Sequence, residues 1–338
     1  MSSLFLVRNL MSLTSARAIS KKLCKKKIIF SVVSGDNKLK RVIKNNIDDA
    51  VDVTDSEFIE FLPFKVSSLI KQRRIIDEVS KRIERFLLTE NITQIFITYP
   101  LHVDSYLYYK ISVRLGINVG FYEEGPCFYR QGRTRQYQIN DFRTFFRKVY
   151  FSLIGLNFGY GFEPNSWYSS LPINGNCNIV KLSYRVVELP MGVHNVFLSR
   201  PMSNDYPTIT IDDEINAIKI YISHIIGCES TLYIKFHPRE SEEKIITLIN
   251  RLTSIGIKVQ EIKGDFSAED LLFSMESGTI CGYDSTTLVY SKSINEKVKA
   301  ISLLSLVKDK DRSGFLKECH SEYMSLYPHI HMLEISDE

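Results

Sequence analysis

The sequence predicts an α/β protein made of two doubly wound domains, each with a parallel sheet between helices. Three observations favour this fold class. Apolar, β-branched runs of four to eight residues alternate with helical segments along most of the chain. The 338 residues are enough for two cores of about 150–200 residues each. The alternation is interrupted once, by a segment rich in aromatic residues and arginine, and then resumes.

In the first half, short apolar runs alternate with two helical patterns. Apolar residues at helical spacing predict a long amphipathic helix over 66–89 and a second over 102–115, ended by Gly116. Strands that alternate with helices of this length form βαβ units, whose strands pair in parallel. The predicted strands of this half are 4–7, 27–33, 94–99 and 117–122.

The second half shows the same alternation and predicts a second Rossmann-like domain. We therefore expect an N-terminal domain over 1–165, a linker over 166–194, and a C-terminal domain over 195–338 that ends in a tail. The predicted strands are 195–198, 231–236, 257–262, 279–282 and 298–304, and the predicted helices are 212–226, 241–255, 268–276 and 286–294.

Composition excludes several classes of protein. The formal net charge is only +4, from 43 Lys and Arg against 39 Asp and Glu, and it does not by itself indicate nucleic-acid binding. No run approaches the 18 or more apolar residues of a membrane-spanning helix. The N-terminus lacks the basic region and cleavage site of a signal peptide. The six cysteines show no paired spacing, which is typical of reduced thiols in a cytoplasmic protein.

Three predicted strands end in residues that could carry chemistry, and ligands of open parallel sheets bind at such ends. Glu123-Glu124-Gly125 follows 117–122, His237-Pro238 follows 231–236, and Asp284-Ser285-Thr286 follows 279–282. A carboxylate can act as a base, an imidazole can protonate a leaving group, and a hydroxyl-bearing helix N-terminus binds anions.

Each of the three also has a purely structural interpretation. The acids would form a solvated turn, His237 would pair with Glu240 or Glu242, and Ser285 would only cap a helix. Together they favour group transfer from a phosphate-activated donor. The chain contains neither a GxGxxG after a strand nor a GxxxxGK[ST], so dinucleotide-binding and P-loop enzymes are disfavoured.

The order of these motifs, an acidic pair with Gly, then His-Pro, then Ser-Thr, resembles that of bacterial sialyltransferases of the GT-B type. The length and the opening Leu-Val-Arg-Asn segment are most similar to glycosyltransferase family 52, which sialylates lipooligosaccharide and O-antigen. The resemblance spans residues 4 to about 305. It implies two domains facing across a cleft, the first on the acceptor side and the second binding CMP-sialic acid, without a metal or other cofactor.

The resemblance also implies a role for each motif. Glu123, or its neighbour Glu124, would be the catalytic base, and His237 would contact the CMP phosphate and act as general acid. Ser285 and Thr286 would bind the same phosphate. Glu261, with Asp265 behind it, would hold the ribose, and the run Asp212-Asp213-Glu214 is a rival source of that carboxylate. The remaining implied donor-binding residues are Pro238, Ser199 and Asn9.

The implied reaction is inverting transfer of sialic acid to a terminal sugar, expected to be galactose, of a bacterial surface glycan. Two alternatives stay open: a GT-B transferase that uses CMP-Kdo or a UDP-sugar, and a non-catalytic nucleotide- or glycan-binding protein. A homodimer is compatible with the sequence.

Positive charge is concentrated in two places. Residues 1–47 contain eleven Lys or Arg and one acid, and residues 130–148 interleave Arg with Phe and Tyr. Both segments are either solvated surface or contacts with anionic lipid headgroups at the inner face of the bacterial inner membrane. The second interpretation would suit a lipid-linked acceptor. No RNA-binding signature accompanies the charge.

Overall fold

A computed structural model gives the fold of the chain as two compact units, Met1–Ser183 and Tyr184–Glu338. Each unit is an α/β structure with one parallel sheet, which confirms the predicted fold class. The residues that the structure describes are 2–23, 27–35, 37–47, 51–56, 66–98, 102–125, 128, 149–156, 163–171, 177–227 and 230–334.

The first unit contains a seven-stranded parallel sheet in the order β3-β2-β1-β4-β5-β6-β7. Its strands are β1 (Ser2–Val7), β2 (Lys27–Val32), β3 (Asp52–Asp55), β4 (Ile92–Thr98), β5 (Asn118–Tyr122), β6 (Ser166–Ser169) and β7 (Asn178–Ile179). The helices with described bounds are α1 (Leu10–Ser20), α2 (Asn37–Asn45), α3 (Val66–Thr89) and α4 (Val103–Arg114).

Strand β1 shows why this sheet is covered on both faces. Alternate side chains of a strand point to opposite faces, so a strand buried on both reads as a continuous apolar run. Leu4 and Leu6 join the cluster formed with α3 and α4, whereas Phe5 and Val7 join the cluster formed with α1 and α2. All four side chains are fully buried. The sheet is therefore doubly wound.

The second unit contains a six-stranded parallel sheet in the order β10-β9-β8-β11-β12-β13. Its strands are β8 (Asn195–Leu198), β9 (Leu232–Lys235), β10 (Val259–Glu261), β11 (Gly278–Gly282), β12 (Val298–Ser302) and β13 (Ile330–Met332). Its α-helices are α5 (Met202–Asp205), α6 (Ile211–Tyr221), α7 (Glu242–Ser254), α8 (Ala268–Ser274), α9 (Thr286–Ile294), α10 (Leu304–Val307) and α11 (Phe315–Leu326).

Each sheet reverses its strand order once. In the first unit the reversal lies between β1 and β4, and in the second it lies between β8 and β11. Loops on either side of a reversal diverge and leave a crevice at the carboxyl ends of the two strands, where ligands bind in open α/β sheets. The residues that follow these four strands are therefore candidate ligand-binding residues.

The predicted linker differs from the structure. Strands β6 and β7 fall within 166–194 but extend the first sheet, so residues 166–183 belong to the first unit. The sequence does not indicate a strand here because β6, with the sequence SWYS, pairs near the sheet edge and lacks the long apolar run of a central strand. The next residues run alongside α8, where Arg185 N donates to Asp270 Oδ1 at 2.8 Å.

Other differences concern elements that the sequence analysis merged or left out. The predicted helix 212–226 is an α-helix only to Tyr221 and continues as a π-helical turn over Ile222–Ile226. The tail predicted after residue 304 contains α11 and the edge strand β13. The arginine-rich segment 130–148 lies outside the described residues. In the part of the chain that is described, no helix is both long and apolar enough to span a bilayer.

Candidate donor and acceptor sites at the strand ends

The acidic pair of the first unit has one buried and one accessible member. Glu123 directly follows β5 and is only 1% exposed. Its Oε1 accepts a hydrogen bond from Ser15 Oγ of α1 at 3.4 Å, and its Oε2 accepts one from Ser170 Oγ after β6 at 3.1 Å. Glu124 is half-buried, at the surface of the same edge. In this conformation Glu124 is the member that a solute can reach.

Asn9 connects the acidic pair to the first helix. Its Oδ1 accepts from the Ser12 backbone N–H at 2.7 Å, and its own N–H donates to Ser12 Oγ at 3.0 Å, which completes a capping box for α1. Its Nδ2 donates to the Glu124 carbonyl oxygen at 3.1 Å. Asn9 therefore fixes the backbone at Glu124, while its predicted contact with the donor stays a prediction.

Two residues that the sequence analysis missed lie at the strand reversal of the first unit. Arg8 follows β1, forms an ion pair with Asp104 of α4, and donates from Nη2 to Ser105 Oγ at 3.2 Å. His102 precedes α4. Partial desolvation and the charge of Arg8 lower the pKa of the His102 imidazole, against the opposing charges of Glu124 and Asp104. We call Arg8, Asn9, His102, Glu123 and Glu124 the first-unit edge.

His237 lies at the carboxyl end of β9 in a tight turn. The Arg239 backbone N–H donates to His237 Nδ1 at 3.1 Å, and Glu240 N donates to the His237 carbonyl oxygen at 2.9 Å. Because Nδ1 is an acceptor, the neutral ring carries its hydrogen on Nε2. That nitrogen is therefore a donor in both the neutral and the protonated ring. Pro238 fixes the backbone next to the ring.

Glu240, which the structural interpretation pairs with His237, forms its hydrogen bonds with other residues. Its Oε1 accepts from Ser199 Oγ and from Lys244 Nζ, both at 2.8 Å. Lys244 Nζ also lies 2.9 Å from Glu214 Oε2. This buried cluster joins β8, α6 and α7, so the side chain of Ser199, which is 5% exposed, has a structural partner. Its predicted donor contact stays a prediction.

The predicted hydroxyl pair begins helix α9. Ser285 is the N-cap residue, and its Oγ accepts from the Thr287 backbone N–H at 3.3 Å. Thr286 is the first helical residue and is half-buried. The capping interpretation is thus correct for Ser285, and it does not compete with anion binding, since the first turn still presents its backbone N–H groups.

Arg200 is a further residue that the sequence analysis missed. It follows β8, forms an ion pair with Asp284, and lies 3.4 Å from Asp205 Oδ2 through Nη2. Its guanidinium carbon lies 5.3 Å from the Tyr206 ring centroid, and Nη2 donates to Tyr206 Oη at 3.2 Å. Arg200 is therefore held at the strand reversal of the second unit with about a quarter of its side chain exposed.

Arg239 extends this network back to the histidine turn. Its two terminal nitrogens donate to the two oxygens of Asp205 at 3.1 and 3.0 Å. Burial raises the pKa of Asp205, but the hydrogen bonds and charges of Arg239 and Arg200 more than offset this, and the net pKa is lowered. We call His237, Arg239, Asp205, Arg200 and Asp284, together with Ser285 and Thr286, the second-unit edge.

Glu261 ends β10, at the same edge of the sheet. It is 3.5 Å from Lys263 Nζ. Its charge and that of Asp265 also act on Lys235, whose Nζ donates to the Gly264 carbonyl oxygen at 2.9 Å. Burial lowers the pKa of Lys235 to about 8, although both carboxylates oppose this. Glu261 is thus placed beside β9, and its predicted ribose contact stays a prediction.

The rival acids at the start of α6 have structural partners. Asp213 forms a capping box with Thr210, Asp212 pairs with Arg251, and Glu214 belongs to the buried cluster with Lys244.

The pair Asp309 and Asp311 has the Asp-x-Asp spacing of a metal-binding motif. Asp311, however, accepts a hydrogen bond at 2.9 Å from the backbone N–H of Leu316 in the first turn of α11. No group of three or more His, Cys, Asp or Glu that could hold a metal ion occurs among the described residues.

The second unit matches the model of a known protein family. Residues 195–304 match the model of the alpha-2,8-polysialyltransferase family. The match covers about a third of the chain and includes the whole second-unit edge. The more specific resemblance to glycosyltransferase family 52 is not confirmed by it. No curated protein matches the sequence.

Solved structures show the fold. A UDP-glucosyltransferase from Polygonum tinctorium has a TM-score of 0.59 at 7% identity, with 99% of this chain and 86% of that chain covered. Spinosyn forosaminyltransferase gives 0.54 at 12%, covering 100% and 87%. UDP-GlcNAc 2-epimerase from Methanocaldococcus jannaschii gives 0.52 at 14%, covering 98% and 89%. The fold is therefore that of GT-B glycosyltransferases, and the fold together with the family match supports a glycosyltransferase.

Proposed function

We propose that the protein is a sialyltransferase that transfers sialic acid from CMP-sialic acid to a terminal galactose of a bacterial surface glycan, with inversion. One observation carries the proposal. Within the region that matches a sialyltransferase family, the ends of β8, β9 and β11 supply two arginines joined through Asp205 and Asp284, and the imidazole of His237 and the first turn of α9 adjoin them along the chain. These are groups that stabilise a departing phosphate.

The second-unit edge would bind the donor through its phosphate. Arg200 and the first turn of α9 would neutralise charge, Ser285 and Thr286 would donate hydroxyl hydrogens, and the Nε2–H of His237 would point to the leaving oxygen. Because Asp205 and Asp284 already hold Arg200 in place, the edge is ordered before the donor arrives. Glu261 would hold the ribose hydroxyls at the end of β10.

The reaction follows from these roles. The acceptor hydroxyl oxygen forms a bond to C2 of sialic acid while the bond between C2 and the phosphate oxygen breaks, through an oxocarbenium-like transition state. A carboxylate of the acidic pair takes the hydroxyl proton. The Nε2–H of His237 donates a hydrogen bond to the phosphate of the departing CMP, which leaves with the electron pair of the broken bond. Transfer of a proton from His237, as general acid, would start from the imidazolium, in which Nδ1 no longer accepts from the Arg239 N–H. The charge that develops on the phosphate is met by protein groups, so the proposal requires no metal.

The acidic pair supplies the base in this proposal. The resemblance assigns the role to Glu123, but the burial of its carboxylate between Ser15 and Ser170 means that substrate would have to displace those hydroxyls. Glu124 is accessible without such a change.

A product assay tests the proposed function. The full chain is incubated with CMP-N-acetylneuraminic acid and a galactose-terminated oligosaccharide, with and without EDTA, and CMP and sialylated product are measured. We expect CMP release that the acceptor accelerates and that EDTA leaves unchanged. Turnover of CMP-Kdo or a UDP-sugar instead would support the first alternative, and stabilisation by CMP without any turnover would support a non-catalytic binding protein.

We further propose that the acceptor is lipid-linked. Association of the first unit with anionic membranes would support this, because it would bring the enzyme to such an acceptor. Lys21 and Lys22 are exposed at the end of α1, where Lys22 Nζ donates to the Ile179 carbonyl oxygen at 3.1 Å. Lys25, Lys26 and the cluster at 130–148 lie outside the described residues. Co-sedimentation with vesicles containing phosphatidylglycerol, against neutral vesicles, tests this association.

A further inference from the structure

A cavity in the second unit lies apart from the second-unit edge. Its volume is about 730 Å³, within the usual range of small-molecule sites. It is bounded by the π-helical turn, the C-terminal part of α9, strand β12 and the start of β13. On β12 the cavity is lined by 298–301, whereas the second-unit edge lies beyond the carboxyl ends of the strands. None of the roles proposed above uses it.

Two lysines and three histidines line this cavity. Lys292 comes from α9 and Lys299 from β12, and both are exposed. The only acidic residue among the described lining residues is Glu296. The three histidines are His224, His329 and His331. The lining therefore favours a negatively charged ligand.

Backbone carbonyl groups orient two of the imidazole rings. His224 Nδ1 lies 2.9 Å from the Ile220 carbonyl oxygen, and His329 Nε2 lies 3.1 Å from the Val289 carbonyl oxygen. A carbonyl oxygen can only accept, so each of these nitrogens carries the hydrogen. In the neutral rings the other nitrogen, Nε2 of His224 and Nδ1 of His329, is then an acceptor. Acceptors of this kind suit the hydroxyl groups of a ligand.

The π-helical turn accounts for the position of His224. A π turn inserts one extra residue into a helix and often marks a functional site. Here the turn Ile222–Ile226 follows α6 directly and ends at Gly227, which has a φ of 80°. Aliphatic side chains of the turn and of β12 line the rest of the cavity. They provide the apolar contact that the carbon frame of a sugar requires.

From these features we infer that the cavity is a second ligand site, which binds an anionic sugar: a sugar carrying a carboxylate or a phosphate. The charged group would contact Lys292 and Lys299, and sugar hydroxyls would donate to His224 and His329. The inference is independent of the donor proposed for the second-unit edge, because it is derived from residues that the donor site does not use.

Calorimetric titration of the full chain tests this inference. The probes are N-acetylneuraminic acid for a carboxylate, glucose 6-phosphate for a phosphate, and glucose as a neutral sugar that has no part in the proposed reaction. We expect at least one of the two acids to bind and glucose not to bind. The acid that binds identifies the charged group. Failure of both acids to bind, or equal binding of glucose, would overturn the inference.

A matched pair of variants locates the binding. The double substitution Lys292→Gln and Lys299→Gln should weaken the acid by about tenfold or more, since two charge-assisted contacts are lost. The control substitutes two exposed lysines outside the cavity, Lys219→Gln and Lys297→Gln, and should change affinity less than twofold. Unchanged binding in the first variant, or an equal loss in the control, would contradict the assignment. CMP titrated into both variants should bind as in the wild type, which separates this site from the second-unit edge.

Discussion

At the scale of single residues, the proposed role of His237 depends on one backbone hydrogen bond. The Arg239 N–H occupies Nδ1, so the hydrogen of the neutral ring is on Nε2. An imidazole held in this tautomer can donate to a phosphate oxygen without first being protonated. The same turn places the Arg239 side chain on Asp205.

Replacement of this imidazole tests its role on the departing phosphate, whether the ring donates a hydrogen bond or transfers a proton. His237→Ala should lower kcat by about a hundredfold or more, as expected for the loss of a positioned proton donor. The melting temperature should stay close to that of the wild type, because the residue is only half-buried. His194→Ala, at an exposed histidine before β8, is the matched control. Normal kcat in a folded His237→Ala variant would exclude the role.

The acidic pair is tested by two conservative variants. If Glu124 is the base, Glu124→Gln should lower kcat by about a hundredfold or more, and Glu123→Gln should act mainly on stability, since two hydroxyls donate to its buried carboxylate. Thermal melts of both variants accompany the kinetics. The opposite pattern would assign the proton transfer to Glu123 and would require the carboxylate to leave Ser15 and Ser170.

Residue types at strand ends could be predicted from the sequence, but their partners could not. His237, Ser285 and Glu124 lie at the ends of β9, β11 and β5, as predicted. The sequence analysis did not single out Arg8, which directly follows β1, or Arg200, which lies two residues after the end of β8, because it weighed acids, histidines and hydroxyls and not arginines. The pairing of Arg200 with Asp284 depends on which strands are neighbours, and a single sequence does not determine strand order.

At the scale of elements, a buried charge cluster joins α6 and α7. Glu214 and Glu240 share the single cation of Lys244, so one carboxylate lacks a full counter-charge. Burial raises the pKa of Glu214 to about 7, although Lys244 opposes this. Breaking such a cluster by removing its cation leaves buried negative charge uncompensated.

This raised pKa gives stability a defined pH dependence. The folded state holds the Glu214 proton more tightly than the unfolded state, whose pKa is near 4.5, so this contribution to stability is complete below pH 4.5 and is lost as pH rises to about 7. The loss amounts to at most about 3 kcal/mol. Relative to Glu214→Gln, the wild type should therefore become less stable over this range in denaturant titrations. The difference in stability between the wild type and Glu242→Gln, at an exposed acid of α7, should not change over the same range. An equal change with pH in both differences would refute the assignment.

The start of β11 depends on a glycine. Gly278 has a φ of 120°, and a Cβ there would lie 2.0 Å from the His194 carbonyl oxygen. Gly278→Ala should therefore destabilise the protein by about 3 kcal/mol or more, measured by denaturant unfolding. Gly256→Ala, at a φ of 88° with open space around it, should cost about 1 kcal/mol. Equal costs at the two positions would show that the contact with His194 is not decisive.

Long periodic elements could be predicted closely, and short or polar ones could not. The bounds predicted for α3 and α9 match the structure, because many apolar residues define each period. Strands β6 and β7 contain four and two residues, too few to show alternation. The π turn after α6 has the same apolar spacing as a continued helix, so the change of hydrogen-bond register cannot be recognised in the sequence.

At the scale of the whole molecule, the two units have the same plan. Each has a parallel sheet with one reversal of strand order, and in each an arginine follows one of the two strands that flank it: Arg8 after β1 and Arg200 after β8. In the proposed reaction, residues beside the reversal of the first unit abstract the proton, and residues beside the reversal of the second unit bind the donor. The family match covers only the second, where the donor would bind.

Calorimetric titration of CMP into the full chain, with UMP, GDP and ADP for comparison, tests the central claim most directly. The wild type should bind CMP selectively, and Arg200→Gln should weaken CMP binding by about tenfold or more, since a charge-assisted contact to phosphate is lost. Glu124→Gln should leave CMP affinity unchanged. Equal affinity for all four nucleotides, or CMP affinity unaffected by Arg200→Gln in a folded variant, would contradict the proposal that the second-unit edge binds the donor phosphate.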